Sequence, residues 1–163
     1  MTQSSVIHDT FVVERTYPAT TSRVFAAFTS AEAKGQWGDT GDLGPGDVSP
    51  AESELDFRAG GRERFGFAYQ GRNYRYEACY YDIVPEQRII YSYEMYADGV
   101  RISVSVATIE FAKSGDGTAL TWTEQGVYLD GIDGAQAPTM RVGGTSKLLD
   151  SLTQYLQRTE RAS

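Results

Sequence analysis

Gly143-Gly144-Thr145-Ser146-Lys147-Leu148-Leu149-Asp150-Ser151-Leu152-Thr153-Gln154-Tyr155-Leu156 is the stretch that decides the fold. Its large apolar residues stand at 148, 149, 152, 155 and 156, a spacing that gathers them on one side of an α-helix. No other part of the chain offers a long amphipathic helix. What precedes it reads almost wholly as strand, so a sheet is the one large partner that can cover its apolar stripe.

Upstream, the periodicity drops from 3.6 to two. From Glu54, Leu55 and Phe57 alternate with Asp56 and Arg58, and Ala59-Gly60-Gly61 turns the chain. Phe65, Phe67 and Tyr69 share one face of the next strand, and Gln70-Gly71-Arg72-Asn73 follows as a turn. A strand over 74–84 ends at Pro85-Glu86-Gln87. Ile89, Tyr91, Tyr93 and Met95 then share a face, and Asp98-Gly99 marks a tight hairpin. Residues 101–112 alternate, Ser114-Gly115-Asp116-Gly117 turns, and Leu120, Trp122 and Glu124 share a face of the last strand. Such short turns force antiparallel neighbours, and the alternation predicts a sheet covered on one side.

Before these strands lie a first strand at 9–16 and two short helices. Pro18 ends the strand by holding Tyr17 extended. Thr20, Thr21 and Ser22 offer N-caps, with Val24, Phe25 and Phe28 as the apolar face of the first helix. Thr29-Ser30-Ala31-Glu32 fits a capping box, which predicts a second helix from Thr29 to about Gly35. Residues 38–53, rich in Gly and Pro, read as a long loop. The whole chain reads as one domain, 1–163, with frayed ends at 1–8 and 159–163.

Composition narrows the function. The 163 residues carry a net charge of −7, which argues against nucleic acid and anionic membrane surfaces as partners. No stretch approaches the ~20 apolar residues of a membrane span. The first residues lack the basic start and apolar run of a signal peptide, which predicts a cytoplasmic location. Cys79 is the sole cysteine and excludes an internal disulfide; mid-strand, it reads as a buried, inert thiol. His8 is the sole histidine, so His-based nucleophilic sets are not legible. Asp39, Asp42 and Asp47 lack the spacing of a calcium loop, and neither a metal nor a cofactor is expected. The 11 Tyr, 7 Phe and 2 Trp suit strands that line a cavity with polar-tipped rings.

The order β-α-α-β6-α resembles the helix-grip fold of the START-like (SRPBCC) superfamily. More narrowly, the chain resembles the homologues of the heat-shock protein 90 ATPase activator. The resemblance rests on 18–28 (Pro-Ala-Thr-Thr-Ser-Arg-Val-Phe-Ala-Ala-Phe), on Thr29-x-x-Glu32 with Trp37, and on 55–61 (Leu-Asp-Phe-Arg-Ala-Gly-Gly). It continues through 82–89 (Asp-Ile-Val-Pro-Glu-Gln-Arg-Ile) and 117–124 (Gly-Thr-Ala-Leu-Thr-Trp-Thr-Glu). It implies an α+β fold in which a curved antiparallel sheet of six to seven strands grips the C-terminal helix. It also implies a cavity between the two. Similar domains bind sterols, polyketides or plant hormones, act as cyclases, or engage a chaperone. At the start of the last helix, where the family has a Gly-Trp pair, this chain has Gly143-Gly144, which would open the cavity or weaken the helix.

These readings give a candidate ligand surface: Trp37, Phe57, Phe65, Phe67, Tyr69, Tyr91, Tyr93, Trp122 and Glu124 on the sheet side, with Gly143, Gly144 and Leu148 on the helix. Two readings of Glu124 stay open. On the cavity wall its carboxyl pKa would be raised, and it could bind a polar group or act as an acid or base. At the strand's end it would be a rim carboxylate paired with an Arg or water. Arg58 reads as a brace for its own hairpin through Asp56 or Glu54. The favoured expectation is a domain that binds a small hydrophobic or aromatic molecule. The alternatives are a stress- or chaperone-linked interaction module and a cofactor-free cyclase or hydrolase using Glu124 with a Tyr. A Tyr-rich edge strand would offer a second copy a surface for a homodimer.

Overall fold

Residues 4–38 and 53–161 are described by a computed structural model. The chain runs β1 (Val6–Tyr17), α1 (Thr21–Ala26), α2 (Ala31–Trp37), β2 (Glu54–Leu55), β3 (Arg62–Tyr69), β4 (Arg72–Val84), β5 (Arg88–Ala97), β6 (Val100–Ser114), β7 (Gly117–Leu129) and α3 (Ala137–Arg161). The strands form one antiparallel sheet in the order β1-β7-β6-β5-β4-β3-β2. This is the expected helix-grip architecture.

Local chemistry sets the hairpins. Gln70-Gly71 and Asp98-Gly99 both take positive φ (48° and 78°, 48° and 82°), the backbone pair that lets a two-residue turn follow the right-handed twist of its strands. After β2, Gly61 passes so close to Asp56 that a Cβ would lie 2.0 Å from the Asp56 carbonyl oxygen; no other residue fits there. In β4 the register shifts between Tyr80 and Asp82, and the extra residue, Tyr81, points out at 63% exposure. Tyr80 and Ile83 therefore both pair with inward residues of β5, Tyr91 and Ile89.

The sheet's concave face closes on α3. Leu149, Leu152 and Leu156 are buried against a core that includes Val13, Tyr17, Leu120 and Trp122. Each such side chain contributes about 1.5–3 kcal/mol on burial. Tyr17 fixes the height of the helix by donating from its hydroxyl to the Leu149 carbonyl at 2.9 Å. Farther along, Arg23 of α1 donates to the Leu156 carbonyl at 2.8 Å.

Several boundaries differ from the expectation. Ser30, not Thr29, caps α2, accepting from the Ala33 amide at 3.1 Å, while Thr29 donates back to the Ala26 carbonyl; α2 then runs to Trp37. Val6 to His8 pair with β7, and α3 continues to Arg161, so both ends carry more regular structure than expected. The strand order ends at β1 and the two-residue β2; the Tyr-rich β4 and β5 lie inside it, with β3 covering β4 over residues 72–79. Cys79 is half-buried, not buried: it alternates with Ala78 and Tyr80 and so belongs to the outer face. Arg58 does brace its hairpin, with Nε 2.8 Å from Asp56. Asp39, Asp42, Asp47 and nearly all of the 38–53 loop lie outside the described residues. Among the described residues, no helix is long and apolar enough to cross a membrane.

Candidate functional site

The aromatic residues on the concave face form a continuous relay. It starts in the α1–α2 layer, where Trp37 meets Phe28 edge-on at 4.8 Å and Phe28 meets Phe111 at 5.6 Å. It passes through Phe25 to Phe57 and Tyr80 (5.6, 5.9 and 5.2 Å), then to Tyr91 at 5.5 Å. Tyr91 touches both Trp122 (6.3 Å) and Tyr93 (6.0 Å). From Tyr93 the rings step outward through Tyr76 (4.9 Å) and Phe65 (4.8 Å) to Phe67 and Tyr74. Tyr91, Tyr93, Trp122 and Tyr76 are buried, whereas Phe65, Phe67 and Tyr74 are half-buried. The relay thus leads from a partly open aromatic surface on β3 and β4 into the centre of the sheet.

At its centre stands a polar cluster. Glu124 of β7 is 1% exposed. Its Oε2 accepts from the Tyr93 hydroxyl at 2.7 Å, and its Oε1 from the Trp122 indole at 3.3 Å. The rim reading of Glu124 is therefore wrong: register with β6 places it opposite Ala107, a fully buried residue, well inside the sheet. Above it, Arg141 reaches down from the second turn of α3. Its guanidinium donates to the Tyr93 hydroxyl at 2.7 Å and to Ser103 Oγ at 2.8 Å, and lies 3.7 Å from Glu124. It also sits over the rings of Tyr93 and Tyr128 at 5.4 and 5.3 Å.

The electrostatics follow from burial. Desolvation raises the Glu124 carboxyl pKa above its usual value, with Arg141 and the Tyr93 and Trp122 donors pulling the other way. Tyr93 is likewise raised by burial, and the Tyr128 phenol is pushed up to about 12 for the same reason. Desolvation acts to lower Arg141, but its interactions with Tyr93, Glu124 and Tyr128 outweigh this and raise it. The cluster is a carboxyl and a guanidinium joined through a phenol, sealed among rings.

Of the expected ligand surface, Tyr91, Tyr93, Trp122 and Glu124 come together here, and Phe65 and Phe67 lie on the approach. Trp37 and Phe57 belong to the packing of α1 and α2; the Trp37 indole donates to the Ala27 carbonyl at 2.9 Å. Tyr69 ends β3 at 37% exposure, away from the cluster. Leu148 is half-buried against the core. Gly143 and Gly144 do not begin the last helix. They lie within α3, exposed, with open space where a Cβ would stand. Arg141 is not among the expected site residues: 130–141 reads as a loop followed by a helical turn starting near Pro138, whereas α3 runs unbroken from Ala137. A signal existed: stepping the stripe back from Leu148 and Leu149 reaches Thr145 and Arg141 on the same face.

A second carboxylate, Glu63, is buried in β3, where its Oε1 accepts from Lys34 Nζ at 2.8 Å and from the Tyr80 hydroxyl at 3.1 Å. Beside it lies a cleft of about 170 Å³ lined by Glu54, Arg62, Glu63, Arg64, Glu77 and Ala78. That cleft holds no aromatic ring and does not coincide with the Glu124 cluster. Arg64 faces Glu54 within it at 3.9 Å, so charges of both signs meet there. Among the described residues, no group of three His, Cys, Asp or Glu side chains is placed to hold a metal.

Comparison with known proteins agrees with this architecture. The sequence model of the family described as activator of Hsp90 ATPase homolog 1-like protein matches residues 18–157. A solved protein from Rhizobium leguminosarum is 42% identical, covers 96% of this chain and 99% of its own, and superposes with a TM-score of 0.85. Mll3558 from Rhizobium loti is 43% identical over 93% of this chain and 99% of its own, with a TM-score of 0.80. DynU16, a protein of the dynemicin biosynthetic locus, shares the fold at 18% identity and a TM-score of 0.65, over 91% of this chain and 47% of its own. No curated protein matches the chain.

Proposed function

Since the chain belongs to the family of activator of Hsp90 ATPase homolog 1-like proteins, we propose that it binds a small, mainly apolar aromatic molecule on the concave face of its sheet, beneath the first turns of α3. The observation that carries this reading is the aromatic relay from half-buried Phe67 and Phe65 through Tyr76 to Tyr93, ending on the buried Glu124–Arg141 cluster. Ligand sites combine a mostly apolar, ring-rich wall with a few convergent polar groups that fix orientation. A core serving stability alone gains little from a buried ion pair, because the desolvation of both charges offsets their attraction.

The family description would also suit a chaperone-linked interaction module. Such a module needs a contiguous apolar patch. The exposed Val12 and Val106 on the outer face are separated by Thr123 and Gln125 in register, so they favour no such patch. An acid–base reaction at Glu124 would need a substrate atom within its reach, and the carboxyl is already enclosed by Tyr93, Trp122 and Arg141.

Titration of the isotope-labelled protein with neutral bicyclic aromatics, read by NMR, tests the proposal. Shifts should concentrate on Phe65, Tyr76, Tyr93 and the Trp122 indole, and a compound at a hundred times its Kd should add ~2.7 kcal/mol to unfolding stability. Shifts confined to the outer face, or none with any compound, would refute it.

A further inference from the structure

The two ends of the sheet are finished differently. At one end β2 contributes only Glu54 and Leu55. At the other, β1 runs for 12 residues, and each pairs with β7 without a shift of register. Among the described residues, no strand lies on its far side. Edge strands of this length are ordinarily blunted by a proline, a lysine or a bulge, because their free backbone groups accept another strand. β1 has none of the three.

Which groups are free follows from the ladder. The Asp130 amide donates to the Ser5 carbonyl at 2.8 Å, one step beyond the Val6–Leu129 pair. Bonding residues alternate along an antiparallel strand. The odd-numbered residues of β1 therefore bond to β7, while Val6, His8, Thr10, Val12, Glu14 and Thr16 turn N–H and C=O to the open side. These even-numbered residues are all exposed, Val6 and Val12 at 57% and 55%. One group is capped: the Arg15 guanidinium donates to the Glu14 carbonyl at 2.9 Å, and it also holds Asp150 and the Ser146 carbonyl of α3.

We propose that this edge pairs antiparallel with the same edge of a second copy of the chain, across a two-fold axis at Phe11. The phase leaves few registers, since even-numbered residues must meet even-numbered ones. With the axis at Asp9, the two Asp9 carboxylates face each other. With it at Thr10, Asp9 meets Phe11 and Glu14 meets Val6. With it at Val12, Asp9 meets Arg15, which Asp150 already holds at 3.0 Å, and Glu14 is left facing Thr10. With the axis at Phe11, His8 of each copy stands opposite Glu14 of the other. That sets a donor against a carboxylate, and among the described residues neither side chain has another partner. Thr10 then meets Val12, and the two Phe11 rings meet at a non-hydrogen-bonded position, where facing side chains come closest. Arg15 yields the Glu14 carbonyl to the incoming His8 amide and keeps its two contacts with α3. The surface is independent of the aromatic face beneath α3.

Sedimentation velocity of the full chain at concentrations rising to about 1 mM should show a growing dimer. Thr10→Pro removes a free N–H and no bond to β7, so it should weaken the dimer about tenfold or more and leave the melting temperature of the monomer unchanged. Glu14→Lys, which sets a cation against His8, should weaken it as well. Hydrogen exchange reads the same edge in the unaltered protein. The amides of His8, Thr10 and Val12 should exchange fast in dilute solution and slow as the dimer forms, whereas those of Ile7, Asp9 and Phe11 stay slow throughout. A chain that remains monomeric over this range overturns the proposal, as does a dimer that survives Thr10→Pro. So do even-numbered amides that exchange at the same rate in dilute and concentrated solution.

Discussion

Two buried carboxylates stand on the same face of the sheet, each with a cation and a tyrosine, and they are built differently. Glu63 takes Lys34 and Tyr80 on one oxygen at 2.8 and 3.1 Å. The pair ties α2 directly to β3, and the Lys34 side chain remains 20% exposed. Glu124 holds its cation at arm's length. Arg141 is 3.7 Å away and is joined to it mainly through the Tyr93 hydroxyl, with Ser103 as the second anchor. The first is a closed staple between two elements. The second is a loose ring of polar groups with the unpaired Ser105 hydroxyl beside it. The difference teaches that two buried carboxylates on one sheet face can be bridged in two ways, one by direct contact with its cation and one through an intervening phenol.

Removing the carboxylates should separate the two most sharply. Glu124→Ala leaves Arg141 buried without a counter-charge and is expected to cost about 3–5 kcal/mol in urea unfolding. Glu63→Ala leaves Lys34, which can turn to water from α2, and should cost about 1–3 kcal/mol. The reverse order would break the distinction.

The pH dependence sharpens it. The folded-state pKa of Glu124 is raised by desolvation, so the folded protein holds this proton more firmly than the unfolded chain does. Its contribution is then fully present below the ordinary carboxyl pKa of about 4.3 and is lost as pH rises through the higher folded value. The stability margin of the native protein over Glu124→Gln should therefore narrow as pH is raised through that window. A margin that widens would mean that Arg141 wins over desolvation. Denaturant melts of both proteins at a series of pH values decide between them.

The smallest effect concerns the helix that carries Arg141. Gly143 and Gly144 lie exposed in α3 one turn or less beyond Arg141, with open space around each. Gly144→Ala should meet no obstacle and raise stability by about 0.8–1 kcal/mol through helix propensity. A loss of stability on thermal unfolding would show that this flank of α3 is covered and not open.

How much of this was legible beforehand depends on how local each feature is. The two-residue turns were readable because Asp98-Gly99 and Gln70-Gly71 carry their own backbone preference, and the strands because alternation is a property of neighbours along the chain. The sequence shows the long helix over 143–156, with no more than a helical turn near Pro138 ahead of it, whereas α3 is continuous from Ala137. Its first turns, 137–142, hold one strongly apolar side chain facing the core, Val142, and a charged one, Arg141; a cation on a buried face does not look like a core residue until its partners are known. For Glu124 the sequence gives the face and leaves the depth open between cavity wall and rim. Alternation says which side of a strand a residue takes, whereas burial depends on what stands opposite across β6 and above in α3.

The sequence by itself determined the element order, the antiparallel sheet and the helix that closes it, because periodicity, turn chemistry and capping act over a few residues. The tertiary structure alone decided the site. Arg141 meets Tyr93 across 48 residues and Ser103 across 38. Pairings over such distances carry no local signature, since they arise from the curvature of the sheet and the height at which Tyr17 and the leucine stripe set α3.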